Sequence, residues 1–311
     1  MNEKLKLIMD SDPGHDDAVA IMLAGKSPKL DLLGISSCSG NQSIEKTTHN
    51  ALSLCQYLGI DVPVAQGSPR PLFKEPMYCP QIHGESGLDG FTFPPLTKKV
   101  DSRAGCDFII ETCLANKEVV LVPTGPLTNI ALALQKNPAI KSHIKEIMLM
   151  GGSIGSGNVT PAAEFNIVVD PEAADIVFHS GLPVYMNGLD VTRQVLVTEE
   201  VIARMEKIHN KASDLFVALM KQYNINQKKT FQWSKGGPLH DPVTVVSLID
   251  PSVVTYEYMN VGIDLSKGPS YGRTNCDRFG YLHLQPNAYV AVAIDVEKYW
   301  DTIESVLRLY E

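Results

Sequence analysis

Four carboxylates fall within the eight residues Asp10-Ser11-Asp12-Pro13-Gly14-His15-Asp16-Asp17. Like charges at this spacing repel, and a buried carboxylate without a compensating charge is costly. A divalent cation with hard oxygen ligands, Ca²⁺ or Mg²⁺, relieves both costs. Singly, an Asp at a strand end or helix start serves as a cap or complements the helix dipole. Four together point to half of a metal site. Polar residues recur further along, wherever a strand-like run stops: Asn41, Thr124, Glu164 and Asn166, then His240 and Asp241. Gathered on one rim, they would make a pocket floored by carboxylates and lined by amides.

The elements that must gather them are legible as alternating runs. Leu5 to Met9 is apolar and strand-like, and Ala18 to Gly25 after the Pro-Gly turn is a helix body. Strands are expected at 31 to 36, 62 to 64, 119 to 122, 146 to 150 and 183 to 186. Helices between them include Ile44 to Leu58, with Ala51, Leu54, Cys55 and Leu58 on one face, and one opened by Pro171. Glu164 and Asn166 flank Phe165, and strand alternation would put both on one polar face. Later the pattern changes. Helices at 198 to 205 and 212 to 223 precede a polar, aromatic linker from Lys228 to Gly237. His240-Asp241-Pro242 opens another helix. Strands at 253 to 264, 271 to 275 and 289 to 295 precede a closing helix. The expected fold is one α/β domain over residues 1–311. Its open, mainly parallel Rossmann-like sheet has flanking helices and some antiparallel C-terminal strands. Ligands bind such sheets at the C-terminal strand ends. The stretch Gly67 to Arg103 is rich in Pro and Gly, and a loop of that length is expected to be functional.

Composition narrows the partners. A net charge of −8 with no basic cluster argues against nucleic acid. No apolar run is long enough to span a membrane. The six cysteines form no Cys-x-x-Cys and complete no zinc spacing, which suits a reducing cytoplasm. A neutral or cationic small molecule is the expected ligand.

The ordered set of motifs resembles the nucleoside hydrolases, which cleave the N-glycosidic bond of ribonucleosides, over nearly the whole chain. Its most specific element is Asp10-x-Asp12-Pro13-Gly14-x-Asp16-Asp17. Supporting matches are Gly40-Asn41, His83-Gly84-Glu85, Pro123 to Asn129, Met150-Gly151-Gly152, Glu164-Phe165-Asn166-Ile167 and His240-Asp241-Pro242. The resemblance implies Ca²⁺ held by Asp12, Asp17, Asp241 and the Thr124 carbonyl, with Asp12 also the general base and Asp10 supporting. It implies that Asp16 and Asn166 grip the 2′- and 3′-hydroxyls of ribose, with Asp241 on the 3′ side. Asn158 and Glu164 would reach the 5′-hydroxyl, and Asn41 would line the ribose floor. His83 and His240 would stand near the base, His240 as a catalytic group. The chemistry is coherent: glycosidic cleavage passes through an oxocarbenium-like state, and a carboxylate floor stabilises its positive charge. A homodimer or homotetramer is the assembly implied.

Within the family, Gly268 to Thr274 and Gly236-Gly237-Pro238 resemble the pyrimidine-preferring bacterial branch. That branch carries a Gln and a Tyr near the leaving base. Here Gln227 or Gln232 could serve, and no Tyr follows Tyr223 in that region. Uridine and cytidine are the expected substrates, with inosine the alternative. Phe231 and Trp233 could stack on a base or plug the core. His15 reads as a structural or capping residue. Two rivals remain open at this stage. One is a haloacid-dehalogenase-like phosphatase with Asp10 as nucleophile. The other is a nucleoside-binding protein without turnover.

Overall fold

The computed structural model describes residues 4–231 and 235–311; Gln232 and Trp233, named above, lie outside them. Ten strands form one sheet: β1 (Leu5–Ser11), β2 (Leu30–Ser37), β3 (Val64–Gln66), β4 (Asp101–Ala104), β5 (Val119–Pro123), β6 (Ile144–Met150), β7 (Val184–Asn187), β8 (Val254–Ile263), β9 (Thr274–Asp277) and β10 (Ala288–Ile294). Their spatial order is β4-β3-β2-β1-β5-β6-β7-β10-β8-β9. Every pair from β4 across to β10 is parallel, while β8 runs antiparallel to both β10 and β9. The expected α/β architecture with its antiparallel C-terminal edge is therefore what the chain adopts.

The sheet is buried on both faces, as a parallel sheet covered by helices must be. In β1, Leu7 and Met9 join one apolar cluster and Ile8 joins the other, as the twofold side-chain period requires. The helix His15–Lys26 is buried without interruption from His15 to Ala24. It lies between the sheet and an outer layer that includes the helices Lys211–Phe231, Pro242–Ile249 and Val296–Leu307. That double burial explains why its sequence has no polar stripe.

Two expectations about elements are corrected. The stretch from Gly67 to Arg103 is not all loop. It contains a short helix, Pro80–His83, and ends in β4, which pairs with β3. Its polar residues hid an edge strand. The presumed linker from Lys228 is the continuation of a helix that runs unbroken from Lys211 to Phe231. Gln227, Lys228 and Lys229 are good helix formers, and Gln227 is buried.

Strand order reverses in sequence direction between β1 and β5. Connections leave these neighbours toward opposite ends of the sheet, which opens a crevice above their C-terminal ends. Asp10 and Ser11 end β1 and Asp12 follows it, and Thr124 follows β5 with its N–H donated to the Asp10 carbonyl at 2.9 Å.

Candidate active site

A cavity of about 500 Å³ opens over that crevice. Its lining includes Asp16, Asn41, His83, Thr124, Asn158, Glu164, Asn166, His240 and Asp241. Asp12 and Asp17 do not line it. They are buried beneath the floor and joined to it through Asn41. All the residues singled out in the sequence for metal and ribose thus converge, in two layers.

Each layer has a local cause. Asp12 Oδ2 accepts the Asn41 N–H at 2.6 Å, and Asp12 Oδ1 has no partner. Two glycines crowd this carboxylate. A Cβ on Gly40 would stand 2.1 Å from Asp12 Oδ2, and one on Gly125 would stand 2.4 Å from Oδ1. Asp17 is held by four donors. Ser11 and Thr124 hydroxyls donate to Oδ1 at 2.6 and 2.7 Å, and the Gly14 N–H and Asn41 Nδ2 donate to Oδ2 at 3.0 and 3.1 Å. Asn166 Nδ2 donates to the Thr124 carbonyl at 2.8 Å, so the two expected contributors meet. Asn158 Oδ1 accepts from the Phe165 N–H at 2.9 Å.

Asp10 sits behind. It is fully buried, and Oδ1 accepts from Asn129 Nδ2 at 2.8 Å. It does not face the cavity, which removes the geometry a phosphatase nucleophile at Asp10 would need.

Electrostatics single out the same cluster. Burial pushes Asp12 well above the usual carboxylate range, and repulsion from Asp17 adds to it. Burial, then Asp17, raises Asp16 to about 7; burial raises Asp10 and Glu164 to about 7 as well. Asp241 rises well above the usual range through burial and then repulsion from Asp16, Asp17 and Asp12. One oxygen from each of Asp16, Asp17 and Asp241 lies within 4.8 Å of the others. Asp12 Oδ1, Asp16 Oδ1 and Asp10 Oδ2 are buried and unpartnered among the described residues. A donor set of buried hard oxygens, several with lone pairs unused, fits a divalent cation.

The connection after β6 is organised differently from the expectation. Glu164 is the N-cap of the helix Phe165–Val169, accepting from the Ile167 N–H at 3.3 Å. Glu164 and Asn166 do face the cavity, but from a helix start, and Phe165 lines it too. Strand alternation was the wrong reason. Glu164 also accepts the Gly152 N–H at 3.0 Å, and Gly151 N–H goes to the Asn187 carbonyl at 3.2 Å. Those glycine amides are spent within the protein.

Behind the cavity wall that His83 and Tyr223 line, His83 stacks on both His15 and Tyr223 and His15 is tilted against Tyr223, with centroids 5.4 to 6.0 Å apart. His15 is no cap, since Gly14 holds that position. Its Nε2 donates to the Asp89 carbonyl at 2.8 Å, and its backbone N–H donates to His83 Nδ1 at 3.1 Å. The second bond leaves the His83 proton on Nε2. Burial pushes both rings down, His15 to about 4. Tyr223, missed in the sequence, donates to the Pro238 carbonyl at 2.8 Å and lines the cavity beside Gln227. Phe231 is exposed at the rim, which excludes the core-plug alternative.

Fold and pocket together define an α/β protein whose main cavity lies over a buried, acidic, metal-capable floor. Residues 7–301 match the family model described as inosine-uridine preferring nucleoside hydrolase. The chain is 47% identical to the pyrimidine-specific ribonucleoside hydrolase RihB of Escherichia coli strain K12, covering 99% of this chain and 98% of that one. Among solved structures, the purine-preferring ribonucleoside hydrolase from Gardnerella vaginalis superposes with a TM-score of 0.90 at 37% identity, covering 97% of this chain and 99% of that one. A plant nucleoside hydrolase, PpNRh1, does so at 0.90 and 33%, covering 98% and 99%. The chain belongs to the inosine-uridine preferring nucleoside hydrolase family. It is thus an N-glycosyl hydrolase acting on ribonucleosides, and the phosphatase reading is set aside.

Proposed function

We propose that this chain, acting as one catalytic unit, hydrolyses pyrimidine ribonucleosides, uridine and cytidine, to ribose and free base with Ca²⁺ as its metal. The observation that carries the metal-and-ribose part is the meeting of Asp16, Asp17 and Asp241 within 4.8 Å at the foot of the cavity. Asp12, Asp17, Asp241 and the Thr124 carbonyl are the residues that would hold the ion. Bound there, the ion would neutralise the carboxylates and make a water more acidic. Asp12 Oδ1, buried and unpartnered, takes the proton of the attacking water. Asp16, Asn166 and Asp241 hold the 2′- and 3′-hydroxyls, and Glu164 with Asn158 holds the 5′ end. Asn41 braces Asp12 and Asp17 from the ribose floor. As the C1′–N bond breaks, its electron pair moves to the base, and the acidic floor stabilises the cationic sugar. His83 and His240, both neutral, donate hydrogen bonds to the charge building on the base, which collects its proton from solvent.

Pyrimidine preference is supported by the likeness to the Escherichia coli enzyme and by Gln227. That residue is buried in the wall where an amide can meet the carbonyls of a pyrimidine. Exposed Phe279, Tyr281, Leu282 and Leu284 between β9 and β10 are consistent with a homo-oligomer. No helix among the described residues is long and apolar enough to cross a membrane. The test is ribose release from uridine, cytidine, inosine, adenosine and their 2′-deoxy forms. Uridine and cytidine should lead, with deoxy forms far slower. Inosine ahead of both would reject the preference. Equal rates on ribo and deoxy forms would reject the role given to Asp16.

A further inference from the structure

The short helix Leu189–Thr192 at the C-terminal end of β7, with Arg193 after it, reaches the site with three side chains. Asp190 accepts the Ile154 and Gly155 N–H groups at 2.6 and 3.1 Å. Arg193 donates to the Ser156 and Gly157 carbonyls at 3.1 and 2.6 Å. These two hold the connection that carries Asn158. The third, Thr192, does something different. Its hydroxyl lies 2.7 Å from His240 Nδ1.

The direction of that bond follows from satisfaction. Thr192 is fully buried, and Oγ1 has no other partner among the described residues. A hydroxyl hydrogen in that position needs an acceptor, and an unmet one costs about 1–3 kcal/mol. A lone pair on Nδ1 meets it. A proton on Nδ1 would leave the hydroxyl hydrogen stranded. The hydroxyl therefore donates, and the ring carries its proton on Nε2. Nε2 has no hydrogen-bond partner among the described residues, and the ring lines the cavity.

We infer that Thr192 is a positioning residue for the hydrolysis. It fixes His240 as the Nε2–H tautomer, so that the ring offers a donor to the leaving base. The inference rests on the reading of His240 as a base-facing donor given above. No proton leaves His240 during the cycle. The N–H stabilises negative charge on the departing base, and the tautomer is the same before and after. A donor placed against developing charge is worth about 10²- to 10³-fold in rate when it is removed outright. Loss of its support should cost less than that, on the order of tenfold.

The test uses the full-length protein with its metal and compares two leaving groups. Uridine needs its departing base stabilised. The β-riboside of p-nitrophenol does not, because the nitro group spreads the charge. In Thr192→Val, the ratio of uridine to nitrophenyl riboside turnover should fall about tenfold, with KM for uridine little changed. Thr192→Ser, which keeps the hydroxyl, should restore the ratio. His240→Gln should lower the same ratio at least as much.

A second readout is independent of turnover. Two-bond proton–nitrogen correlation spectra of the ring should show His240 protonated on Nε2, assigned by its absence in His240→Gln. The pattern should be altered in Thr192→Val. An Nδ1-protonated ring in the wild type would overturn the inference, whether or not Thr192→Val folds. So would an unchanged leaving-group ratio in Thr192→Val beside a lowered one in His240→Gln. If His240→Gln leaves the ratio unchanged, the base-facing reading of His240 falls, and this inference with it.

Discussion

Replacing Asp12 with Asn should separate activity from stability in opposite directions. In Asp12→Asn the amide oxygen can keep the 2.6 Å bond from the Asn41 N–H, and the amide nitrogen takes the place of the unpartnered Oδ1. Shape is conserved where Gly40 and Gly125 leave no slack. Activity should fall by about 10²- to 10⁴-fold, the range for losing a general base. Stability without metal should rise. Burial first, and Asp17 second, hold the Asp12 carboxyl well above its ordinary range, so the ionised form strains the fold. Between about pH 4, the ordinary carboxylate value, and the raised values, the folded protein binds more protons than the unfolded chain. Metal-free stability therefore falls as pH rises through that window. Asp16, at about 7, extends the fall toward neutrality. Asp12→Asn, which removes the buried charge, should flatten the slope and at pH 8 gain about 1.4 kcal/mol for each pH unit separating the ordinary carboxylate value from the raised one. The assays are ribose release from uridine and thermal unfolding after chelation, from pH 5 to 8. Near wild-type turnover in the folded variant would refute the base assignment. A metal-free variant less stable than wild type at pH 8 would refute the electrostatic reasoning.

Other perturbations follow from the same geometry. Gly125→Ala places a Cβ 2.4 Å from Asp12 Oδ1 and 2.6 Å from Cys38 Sγ. Uridine turnover should drop about 100-fold, comparable to losing one well-placed catalytic group, while circular dichroism shows a retained fold; full activity would mean that Asp12 is free to move. Tyr223→Phe removes the bond to the Pro238 carbonyl, two residues before His240. Unfolding in denaturant should show a loss of about 1 kcal/mol, and no loss would place that carbonyl in contact with water. Asp190→Ala frees the amides of Ile154 and Gly155. It should raise KM for uridine more than for 5′-deoxyuridine, since the loop it loosens carries Asn158; equal effects would detach that loop from the 5′ end.

What was legible in the sequence was whatever depends on neighbours along the chain. The acidic stretch reads as a site because its four carboxylates are contiguous, and β1 reads as a strand because its apolar run is unbroken. The residues proposed for ribose and metal elsewhere in the chain were reached through motif order. Local pattern failed where tertiary partners decide the structure. Asp101–Ala104 carries no apolar signal, yet pairing with β3 makes it a strand. The helix that starts at Lys211 runs past Tyr223 because Gln227 finds a buried wall to pack on. Tyr223 carries no signal along the chain. Its ring contact with His15 and His83 joins segments far apart in sequence. Thr192 gave no signal at all: a lone threonine near a strand end becomes informative only once His240 Nδ1 lies 2.7 Å away. Glu164 and Asn166 were placed correctly on the pocket for a wrong reason, because a helix start can present two such residues as a strand would.

The most direct test of the acidic floor as a Ca²⁺ site for nucleoside cleavage is uridine hydrolysis by the chelator-stripped protein with Ca²⁺ returned stepwise. Stripping should abolish ribose release, and Ca²⁺ should restore it in the wild type but not in Asp241→Asn. Undiminished turnover by fully stripped protein, or full restoration in Asp241→Asn, would contradict the account.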